Sequence, residues 1–396
     1  MQGGNANNDE RDLITLSRVF YFDKISEEEN LFMRKYLFTS ESVTEGHPDK
    51  MCDKICDKIL DCALEIDPYS HIAIEATIKD NFILLYGEAS TKAKLDYAKI
   101  AKDVVKEIGY TDEFVVMTKI SEQSPEIKNA VIGDKVKAGD QGIMFGYACS
   151  DTEELMPLPI MLANKLAQRL TWVRKMDKNG FLLPDGKTQV TVEYENDKPK
   201  RIDTVIIACQ HTDNTDYEFL YRYILNEVIL NVLPSDLCDD NTKYLINTSG
   251  SFIVGGPFAD GGTTGRKIVV DTYGGMGRVG GGCFSSKDPT KVDRSGAYYA
   301  RYVAKNIVSH GFADKVEVGV SYAIGRDNPI SVFIETFGTN KTELSEIDKF
   351  IHDNFDFSVD NIINELDLRR PIYYDLACYG HFGRDGYSWE NKKDIH

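Results

Sequence analysis

Six cations crowd one glycine-rich stretch: Arg266, Lys267, Arg278, Lys287, Lys291 and Arg294 lie within "GGTTGRKIVVDTYGGMGRVGGGCFSSKDPTKVDRS". Cations beside exposed backbone N–H groups make a cradle for a polyanion, and like charges so close together are costly without a ligand. The plain alternative is that the glycines only make turns. GMGRVG matches G-x-G-x-x-G literally, but a dinucleotide loop opens directly into a helix. Here "GGCFSSKDPTKV" follows, and no helix can start before about Asp293. "GGTTGRK" is no P-loop either, because Arg266, Lys267 and Ile268 do not satisfy G-K-[ST].

A second group of chemical residues lies in "SESVTEGHPDKMCDK". His47 stands at the edge of a helix whose first residue is Pro48, a favoured first position, and the free N–H groups of a helix start attract phosphate. Asp49 follows in the same turn. With Asp293 as partner it would make a magnesium site that keeps its waters and takes phosphate oxygens. Glu75 and Glu88 sit in otherwise apolar strands, where a solvated face is the default reading, and Lys187 reads as a surface lysine in a turn before a strand.

The elements that must hold these residues follow from composition and periodicity. The chain has 396 residues, 42% hydrophobic and 28% charged, enough for two or three domains of ordinary globular type. A net charge of −17 would repel nucleic acid and anionic membrane, so an anionic ligand must be served by a local cationic cluster. No apolar run suits a membrane helix, and the N-terminus resembles neither a signal nor a transit peptide, so the expected location is cytoplasmic. The eight cysteines, with no C-x-x-C pair, are expected as buried reduced thiols.

Residues 1–35 read as a poorly ordered extension. Met51, Ile55, Ile59, Cys62 and Ile66 then mark an amphipathic helix. "HIAIEATI" and "NFILLYGEAS" form a hairpin, followed by a helix over 91–108 stopped by Gly109 and the strand "FVVM". Residues 121–142 read as a long functional loop. Next come a helix over 159–175, a second hairpin, a helix over 216–231, the strands "YLIN" and "KIVVDTY", a helix over 295–310 capped by Gly311, two strands, and a last helix over 344–354. Hairpins alternating with helices predict an α+β protein of repeated strand-helix units rather than a doubly wound parallel sheet. The residues themselves show no repeat, so any threefold similarity would be structural only.

Several segments, in order, closely resemble the S-adenosylmethionine synthetase (methionine adenosyltransferase) family from about Leu37 to the end: "LFTSESVTEGHPDK", "KAGDQGIMFGY", "PDGKTQV", "GGPFADGGTTGRKIVVDTYGGMGRVGGGCFSSKDPTKVDRS", "RYVAKNIV", "SYAIG" and "YGHFGR". The resemblance implies an α+β fold of three similar domains with pseudo-threefold symmetry, each a mixed sheet packed with helices. The domains would be 36–133, 140–257 and 258–396, with 121–139 a mobile loop over the site. It implies a homodimer, or a dimer of dimers, with sites between subunits. The implied reaction joins ATP and L-methionine through attack of the thioether sulfur on the 5′ carbon, then hydrolyses triphosphate to pyrophosphate and phosphate. Two Mg2+ per site and K+ are the implied cofactors.

By the same resemblance His47, Lys187, Arg266 and Lys287 are catalytic. ATP falls to these together with Asp185, Ser251, Phe252 (stacked on adenine), Asp260, Lys267 and Cys283. Methionine falls to Glu88, Gln123, Asp140, Asp260 and Lys291. Asp49 and Asp293 would hold magnesium and Glu75 potassium. A thioether nucleophile needs no general base, so a site of Lys, Arg and Asp suits a reaction that rests on positioning and charge stabilisation. A non-catalytic member that binds nucleotide or methionine, and an ATP-dependent phosphotransferase, are the competing readings. Lys137, Val279, Cys283 and Ser286 depart from the usual family pattern, and Cys283 is expected to confer thiol sensitivity.

Overall fold

The computed structural model describes residues 34–122, 136–177 and 180–395. The chain is laid out as three successive units. The first runs β1 (Lys35–Val43), α1 (Pro48–Ile66), the hairpin β2 (His71–Lys79) and β3 (Phe82–Ser90), α2 (Tyr97–Ile108) and β4 (Val115–Ser121). The second repeats that order with β5 (Gly142–Cys149), α3 (Leu158–Met176), the hairpin β6 (Leu182–Glu195) and β7 (Lys198–His211), α4 (Tyr217–Ile224) and β8 (Lys243–Ile246). The third has β9 (Gly262–Thr263), α5 (Val292–Ser309), the hairpin β10 (Lys315–Tyr322) and β11 (Ser331–Glu335), α6 (Leu344–Asn354) and α7 (Val359–Glu365).

Each unit lends its first strand to the hairpin of another. β1 pairs antiparallel with β6, β5 with β10, and β9 with β2. The exchange is cyclic, first to second, second to third and third to first, so the three units close into a ring related by an approximate threefold. The resulting sheets are β1-β6-β7-β8, β11-β10-β5 and β4-β3-β2-β9. The two four-stranded sheets are mixed, because β4 lies parallel to β3 and β8 parallel to β7. This is the α+β fold of three similar domains, and it brings residues far apart in sequence onto shared sheets.

Period-two alternation decides which face of each sheet is covered. Ile72, Ile74, Ala76 and Ile78 of β2 are buried, while Ala73, Glu75 and Thr77 are only half-buried on the opposite face. Full burial of each such isoleucine contributes about 1.5–3 kcal/mol. α1 packs over this inner face through Met51, Ile55 and Ile59, which join the same apolar cluster.

Several expectations need correction. "KIVVDTY" is not a strand: Ile268–Asp271 forms a single helical turn, whose Asp271 docks on the buried Lys50. The second helix begins at Tyr97 rather than near residue 91, because Asp96 caps it by accepting the Lys99 N–H at 3.0 Å. α4 ends at Ile224 and passes into a wider helical turn, Leu225–Ile229. Lys187 lies within β6, not in a turn before it. α7 was not anticipated. All eight cysteines are free thiols as expected, but Cys62, Cys238 and Cys283 are only half-buried.

Candidate active site

The polar face of α1 organises the site. Asp49, Asp53, Asp57 and Asp61 recur every four residues, so they share one helical stripe, and all four are buried. Each accepts a hydrogen bond from a different backbone N–H outside the helix. Asp49 takes Thr263 at 3.0 Å, Asp53 takes Gly265 at 2.9 Å, Asp57 takes Ser286 at 3.1 Å, and Asp61 takes Tyr373 at 3.0 Å. An amphipathic reading would leave this stripe in water. Instead it is a ladder of buried acceptors that fixes the loops carrying the cations.

The cations themselves do not stand unbalanced. Arg294 donates to Asp57 at 2.6 Å and to the Phe284 carbonyl at 2.6 Å, and Arg278 pairs with Glu317 at 2.8 Å. Lys267 is 2.8 Å from Asp49, Arg266 3.7 Å from Asp49, Lys287 2.6 Å from Asp293, and Lys291 2.6 Å from Asp288. The expected cost of six unsatisfied charges therefore does not arise. Arg278 and Arg294 serve structure, and the other four are cations already held by carboxylates.

One group of site residues surrounds the start of α1. His47 is its N-cap, and its Nδ1 accepts the Asp49 N–H at 3.2 Å, which leaves the proton on Nε2. Burial first, and then the Lys267 charge, push its pKa down to about 3, so the ring is a neutral donor. Burial alone would raise the Asp49 pKa, but the Lys267 and Thr263 hydrogen bonds hold it below the usual value. Gly262 makes the close approach possible, since a Cβ there would sit 2.2 Å from the Pro48 carbonyl oxygen. The exposed Lys187 lies near enough to act on His47, as does Asp260, whose Oδ1 accepts the Gly261 N–H at 2.8 Å. Asp185 accepts the Gly256 N–H at 2.7 Å, yet its buried Oδ1 has no partner among the described residues. Phe252, beside the exposed Ser251, is clamped by His211: its N–H donates to Nε2 at 3.1 Å, and its carbonyl accepts the His211 N–H at 2.9 Å. His211 was missed in the sequence, where it looks like any strand-end histidine.

A second group gathers around the start of α5. Lys287 bridges Ala73 of β2, and Ala73 pairs with Glu88 of β3, which places Glu88 one strand away from Lys287. Burial opposes the Lys287 charge, but Cys283, Asp293 and Glu75 together outweigh it and the pKa is raised. Glu75 accepts a hydrogen bond from the Ser286 hydroxyl at 2.9 Å. Gly139 donates to the Thr290 carbonyl at 3.0 Å, which ties the neighbouring Asp140 to the Lys291 turn. Burial pushes the Cys283 thiol up to about 11, so its reactive thiolate is scarce near neutral pH. Gln123 and residues 123–135 of the expected loop lie outside the described residues.

The two groups are joined by α1 and by β2, which pairs with β9 and bridges Lys287, and Cys283 packs against Gly265 beside Arg266. Among the described residues no hydrogen bond or ion pair joins a member of one to a member of the other, and no three His, Cys, Asp or Glu side chains converge to hold a metal. Chemically, the arrangement offers fixed cations, a neutral imidazole donor and acceptor carboxylates. It offers no nucleophile activated by a base, which suits charge stabilisation on a polyphosphate.

Comparison with known proteins gives the same reading. The chain matches the family models "S-adenosylmethionine synthetase, N-terminal domain" over residues 35–127, "central domain" over 135–252 and "C-terminal domain" over 254–391. It is 51% identical over 372 residues to the S-adenosylmethionine synthase of Clostridium acetobutylicum, covering 89% of this chain and 95% of that protein. These matches favour an active enzyme over a non-catalytic binding member. No helix among the described residues is long and apolar enough to cross a membrane. The chain belongs to the S-adenosylmethionine synthetase family, and its activity is that of a methionine adenosyltransferase, making S-adenosylmethionine from ATP and L-methionine.

Proposed function

We propose that the two residue groups are half-sites, each completed by the other half from a second copy of the chain in a cytoplasmic homodimer. The observation that carries this is that Asp49 and Asp293 lie in separate clusters, each held by its own lysine. ATP would lie across the half-sites. Phe252, held by His211, stacks on adenine, while Asp185, with its orphan Oδ1, and Ser251 seat the nucleoside and Cys283 lies beside it. Lys187, Arg266, Lys267 and Lys287 hold the phosphates, and the Nε2–H of His47 donates to the chain's first bridging oxygens. Glu88, Gln123, Asp140, Asp260 and Lys291 hold methionine, whose ammonium and carboxylate need opposite charges.

The sulfur then attacks the 5′ carbon and triphosphate departs, to be hydrolysed to pyrophosphate and phosphate before release. Asp49 and Asp293 fit a hard divalent cation: both are carboxylates that already accommodate a positive charge within 2.8 and 2.6 Å. Magnesium, two ions per site, would neutralise the negative charge that develops on the triphosphate. Lys267 and Lys287, released from their carboxylates, would turn to phosphate oxygens. Glu75 would hold potassium.

The half-site arrangement has a direct test. Asp49→Asn and Asp293→Asn homodimers should each be nearly inactive. Mixed and re-associated, they should recover about a quarter of wild-type activity, because half the dimers then carry one intact site. No recovery on verified subunit exchange would contradict sites shared between subunits.

A further inference from the structure

We infer that Ser286 is a ligand of the monovalent-cation subsite, its hydroxyl forming an oxygen cradle with the Glu75 carboxylate and the Thr264 hydroxyl. This rests on reading Glu75 as the potassium ligand and adds to it a residue particular to this chain, since glycine is the usual residue before the lysine.

Three observations converge. First, Ser286 has φ +81° and is fully buried, a left-handed conformation that a non-glycine residue adopts only where its surroundings impose it. The surroundings do so here. The Ser286 N–H donates to Asp57 Oδ1 at 3.1 Å, and Asp57 is itself fixed by Arg294 at 2.6 Å and by the Ser285 hydroxyl at 2.9 Å. Second, this backbone aims the Ser286 Oγ at Glu75 Oε1, 2.9 Å away. Thr264 stands beside the same carboxylate, its Oγ1 anchored to Ala76 by the N–H at 2.8 Å and the carbonyl at 3.2 Å and lying 3.3 Å from Cys56 Sγ. Third, Glu75 is a half-buried carboxylate with no Lys or Arg nitrogen at ion-pair distance among the described residues. The nearby Lys287 is held by Asp293.

Two hydroxyls and a carboxylate are hard oxygen donors, suited to an alkali cation and unsuited to a soft metal. A glycine at 286 would contribute only backbone. Because Ser286 directly precedes Lys287, and Lys287 bridges Ala73 two residues before Glu75, a cation in this cradle would also steady the Lys287 arm.

The test uses the intact protein without substrates. Thermal midpoints are measured against potassium chloride, with choline chloride holding ionic strength constant, for wild type, Ser286→Gly and Glu75→Gln. Glycine relieves the backbone strain, so Ser286→Gly should fold and should melt no lower than wild type in choline. Its potassium half-saturation should rise on the order of tenfold, as expected for one lost ligand oxygen, and Glu75→Gln should abolish the potassium shift. An unchanged half-saturation in Ser286→Gly, with the shift abolished in Glu75→Gln, would overturn the role of Ser286 alone. A potassium shift that persists in Glu75→Gln, or is absent from wild type, would overturn the Glu75 reading and the Ser286 proposal with it.

Discussion

Lys287→Met should lower kcat by about 10²–10³-fold while leaving the fold intact, the loss typical of removing one pre-aimed charge from a developing oxyanion. Lys287 is only partly buried, and among the described residues its ammonium makes one ion pair, at 2.6 Å with Asp293. Nothing in the apolar core depends on it. It lies next to Ala73, on the outer face of β2, and on the proposed reading a triphosphate would displace Asp293 from it. The Michaelis constant for methionine should change far less than kcat, because the lost interaction strengthens as the leaving group gains charge. Steady-state kinetics with both substrates varied separate the two. A kcat within about threefold of wild type would remove Lys287 from the reaction.

Gly282→Ala should be almost as damaging, although alanine is a small residue and glycine here needs no unusual φ. The reason is contact. A Cβ at 282 would lie 2.0 Å from Asp293 Cγ and 2.2 Å from its Oδ1, far inside van der Waals distance. Asp293 sits in the first turn of α5, so its backbone cannot retreat without disturbing that helix, and the carboxylate must swing away. The swing breaks the Lys287 pair and moves the proposed metal carboxylate, and a displacement near 1 Å at such a site costs about 10²-fold. The variant should need more magnesium to reach half-maximal rate, a dependence that plain misfolding would not produce. A melting temperature close to wild type with unchanged magnesium dependence would show that Asp293 is not positioned by Gly282.

That glycine also shows how the stretch "GGMGRVGGG" could be read, and how far. Its failure as a dinucleotide loop was legible, since α5 begins only at Val292. What each glycine accommodates was not, because the Asp293 carboxylate meets Gly282 only once α5 has folded back over the loop. His47, Asp49 and Asp293 were recognisable as chemistry because a proline-started helix and an acid in the first turn are local signals. The counter-charges were not. Asp57 and Glu317 lie far along the chain from Arg294 and Arg278, and nothing in the sequence pairs them.

The same distinction runs through the fold. The hairpins and most helices follow from local periodicity, and α6 spans the expected residues. The cyclic strand exchange does not, because β1 meets β6 across about 150 residues and any strand of that pattern would pair as well. "KIVVDTY" is rich in β-branched residues and reads as a strand by propensity. The buried ion pair from Asp271 to Lys50 overrides that preference and coils the segment instead. The carboxylate stripe of α1 was not legible for a related reason. Four-residue spacing defines a face, but only the tertiary structure decides whether that face meets water or loop N–H groups.

The reaction transfers the adenosyl group to sulfur and splits the triphosphate it releases. The most direct measurement incubates the protein with ATP, L-methionine, magnesium and potassium and quantifies every product by mass spectrometry and phosphate assay. S-adenosylmethionine, pyrophosphate and phosphate should form in equal amounts, all dependent on methionine. ADP with a phosphorylated acceptor, or pyrophosphate and phosphate without a sulfonium product, would contradict it.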